Sequence, residues 1–469
     1  MLPGLAFGLM LALMGAGAVW ADDYVGWRTD GTGEYPDARP VTTWSGEENV
    51  IWATPMPDRS NSLPVIVGDR IFVSSDPQLL LCVSKATGEI IWQASNSVAD
   101  IAPPEEIADL ETKTAEYNRL RGELAQVNNQ LNKIKRQLQD APDNTELKTQ
   151  FDRLQQQQRE LAAQIKPLAE TWYVLPPTHA YNGFSSPTPV CDGEHVWVVF
   201  GNGVAACYDL DGNRVWARFV EKPPHDWGTS NTPVLADGRL IVHIGAMRAL
   251  DPLTGEEVWS QPAATWNWGT SWVEEIGGVR VIFTSSGHAV RASDGKILAS
   301  GLGKLTWGSG PMVDDGVLYY IDNQGGESVS RAWRLPANAD EPFQPELIWQ
   351  SEPNKARYYA SPIIRDGLIY AVTTTGMLSC IDVATGEIVY EQNLALGKGD
   401  IFGSVVYAGG YLMVTHENGT TVVFQPGRGY VEVARNQLGD MVRSTLVFDG
   451  DAMYVRGYEK LYCIGAGAG

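Results

Sequence analysis

Short apolar runs alternate with turn residues through most of the chain, and the stretch 230–259 (SNTPVLADGRLIVHIGAMRALDPLTGEEVW) shows the unit most completely. Apolar residues crowd 240–243 (LIVH) after the Asp237-Gly238 turn. They return at 247–250, and again at Val258-Trp259 after the Thr254-Gly255 turn. Runs of this length and β-rich composition, bounded by Asp-Gly and Thr-Gly dipeptides, predict an antiparallel meander. One meander cannot bury its own apolar faces, so it requires neighbours of the same kind.

The neighbours are in the sequence. A first copy spans 62–92 and ends Thr87-Gly88-Glu89-Ile90-Ile91-Trp92. A second spans 186–216 and ends Asp211-Gly212-Asn213-Arg214-Val215-Trp216. The opening stretch is the third. A fourth runs from Thr270 to about Leu298, keeping Asp294-Gly295 but no tryptophan, and a fifth runs from Ser309 to Trp349. The sixth, 361–390, holds Thr385-Gly386-Glu387. The seventh starts at Ser404 and is degenerate after Phe424, and the eighth covers 444–464. An aromatic, a small residue and Ser or Thr lead into most copies: Phe184-Ser185-Ser186, Trp227-Gly228-Thr229, Trp268-Gly269-Thr270, Trp307-Gly308-Ser309, Tyr359-Ala360-Ser361 and Phe402-Gly403-Ser404. Starts fall about every 40 residues, the period of a four-stranded propeller blade. The expected fold is therefore all-β, an eight-bladed β-propeller of four-stranded antiparallel blades.

Two segments break the pattern. Between the first and second copies, Ile107, Leu110, Tyr117, Leu120, Leu124, Val127, Leu131, Ile134 and Leu138 fall on one helical seam. Asp140-Ala141-Pro142-Asp143-Asn144 stops that helix, and Leu147, Phe151, Leu154, Leu161, Ile165 and Leu168 form a second seam. The pattern predicts an antiparallel coiled-coil hairpin whose first helix reaches roughly 50 Å at about 1.5 Å per residue. At the start, Asn49-Val50-Ile51-Trp52 has the character of an outermost strand, which the eighth copy lacks at its own end. The N-terminal segment is thus expected to complete blade eight and close the ring. The expected division is a signal peptide at 1–21, a closing strand and blade one at 22–104, the hairpin insertion at 105–169, and blades two to eight at 170–469.

The apolar run from Leu5 to Trp20, ending Val19-Trp20-Ala21, predicts export with cleavage after Ala21 to the periplasm or cell exterior. That run is short for a membrane span, and no later segment has the length and hydropathy to cross a bilayer. A net charge of −21 argues against a nucleic-acid partner. Four of the five cysteines, Cys82, Cys207, Cys380 and Cys463, occupy one slot in different copies, too far apart to pair. They and Cys191 read as small buried hydrophobes, and no paired-cysteine zinc, haem or redox motif is present.

The Thr-Gly-Glu-x-x-Trp endings at 87–92 and 254–259, with the opening Gly26-Trp27-Arg28…Gly31…Gly33, resemble the repeats of the quinoprotein, or pyrroloquinoline-quinone-like, β-propellers. The resemblance covers nearly all of the chain outside the hairpin and points to the BamB-like, non-catalytic branch. It also admits the quinone-dependent dehydrogenases of that superfamily, which hold pyrroloquinoline quinone beside calcium. No calcium-ligand set and no adjacent cysteine pair can be placed on this sequence, so no cofactor, metal or catalytic residue is expected.

Trp52, Trp92, Trp216, Trp259 and Trp349 are expected to dock each blade on the next, with their indole N–H groups on backbone acceptors. Phe184, Trp227, Trp268, Trp307, Tyr359 and Phe402 lead into the innermost strands. They are candidates either for packing between blades or for an aromatic-lined channel mouth. His225 and Asp226 lie in the same loops, where such a pair binds metal or moves protons, though no third ligand is evident. Arg443 leads into blade eight, as an anion holder or as half of a channel salt bridge. The expected function is a scaffold that binds protein or carbohydrate through mouth loops and hairpin, with the hairpin also a candidate for oligomerisation. The alternative is a quinone-dependent oxidoreductase with a divergent site.

Overall fold

The computed structural model describes residues 24–175, 178–326 and 328–466; the predicted signal peptide lies outside them. Eight antiparallel sheets follow one another along the chain, and six of them are plain four-stranded meanders. In the seventh, the short strand Glu34–Tyr35 runs parallel to the innermost strand Val406–Ala408 as a fifth member. Blade seven is regular beyond Phe424, where the sequence pattern fades: Val431–Gln437 forms a full outer strand. Blade eight takes its outer strand from the other end of the chain, Val50–Pro55 pairing antiparallel with Lys460–Ile464.

Period-two alternation gives each blade two apolar faces, and each face packs on a neighbour. Each junction has its own buried cluster. Phe72 and Leu80 of blade one meet Val196 and Tyr208 of blade two. Val281 and Phe283 of blade four meet Leu318 and Tyr320 of blade five. Tyr454 and Leu461 of blade eight meet Ile71 and Leu81 of blade one. Cys82, Cys207, Cys380 and Cys463 sit in four different junctions and cannot pair with one another; Cys191 shares the junction of Cys82, and all five cysteines are free and buried. Burial pushes their thiols up, Cys82, Cys380 and Cys463 to about 11.

One device recurs at the outer strands. A bulge just before the aromatic position shifts the register, as between Val50 and Trp52 and between Arg214 and Trp216. The bulge turns the tryptophan toward the following blade. Trp52, Trp92, Trp216, Trp259 and Trp349 donate from Nε1 to the carbonyls of Lys85, Leu210, Pro252, Ala292 and Val383 at 2.8–3.1 Å. Each indole lies flat on the turn glycine of the next blade. At Gly386 (φ +73°) a Cβ would come within 2.7 Å of the Trp349 ring. The glycine of the Thr-Gly turn therefore serves both a left-handed turn and a close approach.

Between blades one and two rise helices α1 (Pro104–Asp140) and α2 (Thr145–Glu170), joined by a tight turn that Asn144 caps. Their seam buries Leu120, Val127, Leu131, Leu154 and Leu161. The base is anchored to blade two by Trp172 against Phe219 and by Lys222 Nζ on the Ala169 carbonyl. Among the described residues no helix is long and apolar enough to cross a membrane.

Candidate functional site

The inner strands of the eight blades begin at Val65, Val190, Val234, Trp272, Met312, Ile363, Val406 and Val447. Residues spaced by two along a strand share a face, so the positions two and four before each start point the same way. They form two stacked rings around the channel. The lower ring, two before, is Leu63, Thr188, Thr232, Thr270, Gly310, Ser361, Ser404 and Thr445. Backbone N–H groups in this ring donate to the hydroxyl of the same position in the following blade: Leu63 to Thr188, Thr188 to Thr232, Thr232 to Thr270. The series resumes with Gly310 to Ser361, Ser361 to Ser404 and Ser404 to Thr445, all six bonds lying at 2.8–3.3 Å. It breaks only where Gly310 and Leu63 supply no hydroxyl. These hydroxyls link blade to blade; Thr270, Ser361 and Ser404 are the Ser or Thr of the aromatic motif, whereas Thr188, Thr232 and Thr445 lie outside it.

The upper ring, four before, is Asn61, Ser186, Ser230, Trp268, Gly308, Tyr359, Phe402 and Arg443. All of them line a cavity of about 120 Å³, which the lower ring continues. Its floor is Trp27. Residues 24–35 cross the channel as a plug: Val25 pairs with Cys191, and Gly31 packs on Trp272. The fully buried Arg28 donates to the carbonyls of Pro362 and Val405, both at 3.0 Å. Burial without a carboxylate contact lowers the Arg28 pKa to about 10. Arg28 and Thr29 are left-handed (φ +55° and +67°), and a Cβ on Gly33 would strike the Arg28 guanidinium.

The rim is a chain of aromatic contacts. Trp268 stacks near Trp307 at 6.2 Å, Trp307 meets Tyr359, and Tyr359 stacks on Phe402 at 5.0 Å. Phe402 meets Tyr181, which in turn meets Trp227. Tyr181 had no repeat signal. It reaches the rim because the segment after the hairpin folds over the mouth, its carbonyl held by Asn61 and Arg443 and its neighbour His179 stacked on Trp227 at 4.0 Å. Arg443 lies over Phe402 and Tyr181 at 4.4 and 4.7 Å. Its Nε and Nη2 bond Glu417 at 2.9 and 2.7 Å, so its charge is balanced within the protein.

Six of the nine sequence candidates for the mouth line the cavity: Trp227, Trp268, Trp307, Tyr359, Phe402 and Arg443. Phe184 does not, which corrects the motif alignment. It stands six residues before its strand, and its N–H is held by Asp76 while its ring packs at Gly201, so Ser186 takes the ring position. His225 and Asp226 pair with each other at 3.0 Å on the exposed outer side of Trp268 and are not part of the lining. Among the described residues no group of His, Cys, Asp and Glu could hold a metal ion, and no carboxylate lines the cavity. Asp322, a buried acid outside the lining, accepts from Thr306 N–H at 2.7 Å. Burial raises its pKa to about 6.

The sequence profile of the family described as "Outer membrane protein assembly factor BamB" matches residues 40–106, 178–392 and 286–469. The chain belongs to this family. BamB from Moraxella catarrhalis superposes with a TM-score of 0.54 at 12% identity, covering 89% of this chain and 99% of that one. The computationally designed Ika8 protein gives 0.53 at 8% identity, covering 89% and 99%. A quinohemoprotein alcohol dehydrogenase from Pseudomonas putida HK5 gives 0.51 at 10% identity, covering 92% and 79%. At these identities the BamB-family chain shares a fold with all three, and the site must be argued from its own residues. A search of curated protein sequences finds no match.

Proposed function

We propose that the protein is a non-catalytic scaffold of the periplasm or cell exterior that binds protein or carbohydrate. The mouth cavity and the helical hairpin are its two contact surfaces. The observation that carries this reading is the make-up of the mouth. Aromatic side chains and hydroxyls surround a plugged channel, and the one charged group that the described residues place in the lining, Arg443, is tied to Glu417. Export by residues 1–21 belongs to the same reading, and membership of a family described as an outer-membrane protein assembly factor supports it. The hairpin presents Gln, Glu, Lys and Arg outward from its buried seam, the surface of an antiparallel coiled coil free to meet a partner or a second copy.

The quinone-dependent alternative draws support from the dehydrogenase fold neighbour alone. Its donor set does not fit. Calcium takes about six to eight oxygen ligands, usually with carboxylates among them, whereas the cavity offers hydroxyls and the amides of Asn61 and Asn182.

The test replaces residues 103–172 with a short Gly/Ser linker and compares partner capture and oligomeric state with the parent. The reading expects a folded propeller that loses a partner or changes its association. A variant that folds and keeps every interaction reduces the hairpin to an ornament.

A further inference from the structure

We propose that the mouth cavity binds one pyranose ring of a neutral oligosaccharide, with the rest of the saccharide leaving through the open rim. This deepens the scaffold reading and rests on the mouth being a binding site. Three independent features select the ligand.

The first is charge. Among the described residues Arg443 is the only charged side chain in the lining; Nε and Nη2 are spent on Glu417 and Nη1 on the Tyr181 carbonyl. An anion would have to displace Glu417, and a cation would meet Arg443, so a neutral ligand is favoured.

The second is the lower ring. Thr188, Thr232, Thr270, Ser361, Ser404 and Thr445 each accept an N–H from the preceding blade and keep a hydroxyl proton that no described residue takes. A hydroxyl is one donor and two acceptor lone pairs, so this ring offers a circle of donors with acceptor capacity to spare. A ligand carrying hydroxyls on several sides of one ring matches it.

The third is the rim. Trp268, Trp307, Tyr359 and Phe402 are half-buried and line the cavity as aromatic surface, with Arg357 over the Trp307 ring at 4.6 Å and Arg443 over the Phe402 ring at 4.4 Å. The C–H face of a pyranose packs on such surfaces, while its hydroxyls reach the ring below. The aromatic side chain of a peptide would satisfy the rim and leave the hydroxyl circle without ligand partners. Inorganic phosphate would do the reverse. With no carboxylate pair in the lining, the site holds a sugar without hydrolysing it.

The experiment titrates the full chain by calorimetry and tryptophan fluorescence with three neutral trisaccharides: β-1,4-glucose, α-1,4-glucose and β-1,4-N-acetylglucosamine. The peptide Gly-Trp-Gly and inorganic phosphate are titrated in parallel. At least one trisaccharide is expected to bind saturably, with Trp307→Ala and Trp268→Ala each weakening it about tenfold or more, the loss of one stacking face. Trp307→Phe, which keeps a face, should lose much less, so that a general loss of fold is recognised. Saturable binding of the peptide with none of a trisaccharide overturns the sugar assignment and leaves the mouth as a protein site. No binding by any trisaccharide at millimolar concentration overturns it as well. The scaffold reading is judged separately, by the linker variant, so the two can fail independently.

Discussion

Replacing Trp349 with alanine removes one of the five indoles that join successive blades. Trp349 is 7% exposed, lies on Gly386, faces Tyr319 at 5.9 Å and donates to the Val383 carbonyl at 2.8 Å. Withdrawing an indole takes about 200 Å² out of burial, which at ~25 cal/mol per Å² is ~5 kcal/mol. The Val383 carbonyl loses its donor, worth ~1 kcal/mol. Water can enter from the outer rim and recover part of this, so the expected loss is about 4 kcal/mol, within the usual range for Trp→Ala in a core. Trp349→Phe keeps most of the area and loses the bond, so it should cost only ~1–2 kcal/mol. Urea unfolding followed by far-UV circular dichroism reads both variants. A loss below ~1 kcal/mol for Trp349→Ala would refute the idea that the indole and its glycine hold the junction.

Deleting residues 22–57 removes the plug and the outer strand of blade eight together, and should abolish cooperative unfolding or cause aggregation through the strand Lys460–Ile464. A truncated chain that melts as sharply as the parent contradicts the shared blade. Leu120→Asp places a charge in the hairpin seam, where Leu120 is 2% exposed. It should melt helical signal and spare the strands, as read by circular dichroism and limited proteolysis. His243 is buried, bonded to the Ala264 carbonyl, and burial lowers its pKa to about 4. The unfolded chain protonates it near pH ~6.5. Its contribution is therefore complete above that pH and is lost as pH falls toward 4, by up to ~3 kcal/mol. Melting curves of the parent and His243→Gln should diverge across this window, the parent losing more; parallel curves would show that the imidazole is not held neutral.

The fold was readable because a blade is a local unit. Asp-Gly and Thr-Gly turns, period-two runs and a terminal tryptophan lie within the clearest copies, and the structure repeats the four-stranded sheet at every blade. Blade seven looked worn only because Val431–Gln437 alternates exposed apolar and charged residues without the usual turn letters. The mouth was less readable, because letters and register part company there. Phe184 carries the motif yet stands six residues before its strand, whereas Ser186 and Ser230 occupy ring positions without an aromatic. The hydroxyl ring follows from counting back from strand starts, which the sequence does not fix to the residue. Tyr181 and the plug at 24–35 depend on where segments outside the repeat come to rest, and no local pattern encodes that.

The central claim is that this propeller mouth binds without catalysing. Its most direct test is turnover after incubation of the full chain with pyrroloquinoline quinone and calcium, assayed by dye reduction with alcohols and sugars. A lining without carboxylates, with Arg443 committed to Glu417, predicts no quinone-dependent dye reduction. Dye reduction that appears with the quinone, disappears on its removal and falls in Trp268→Ala would contradict the account.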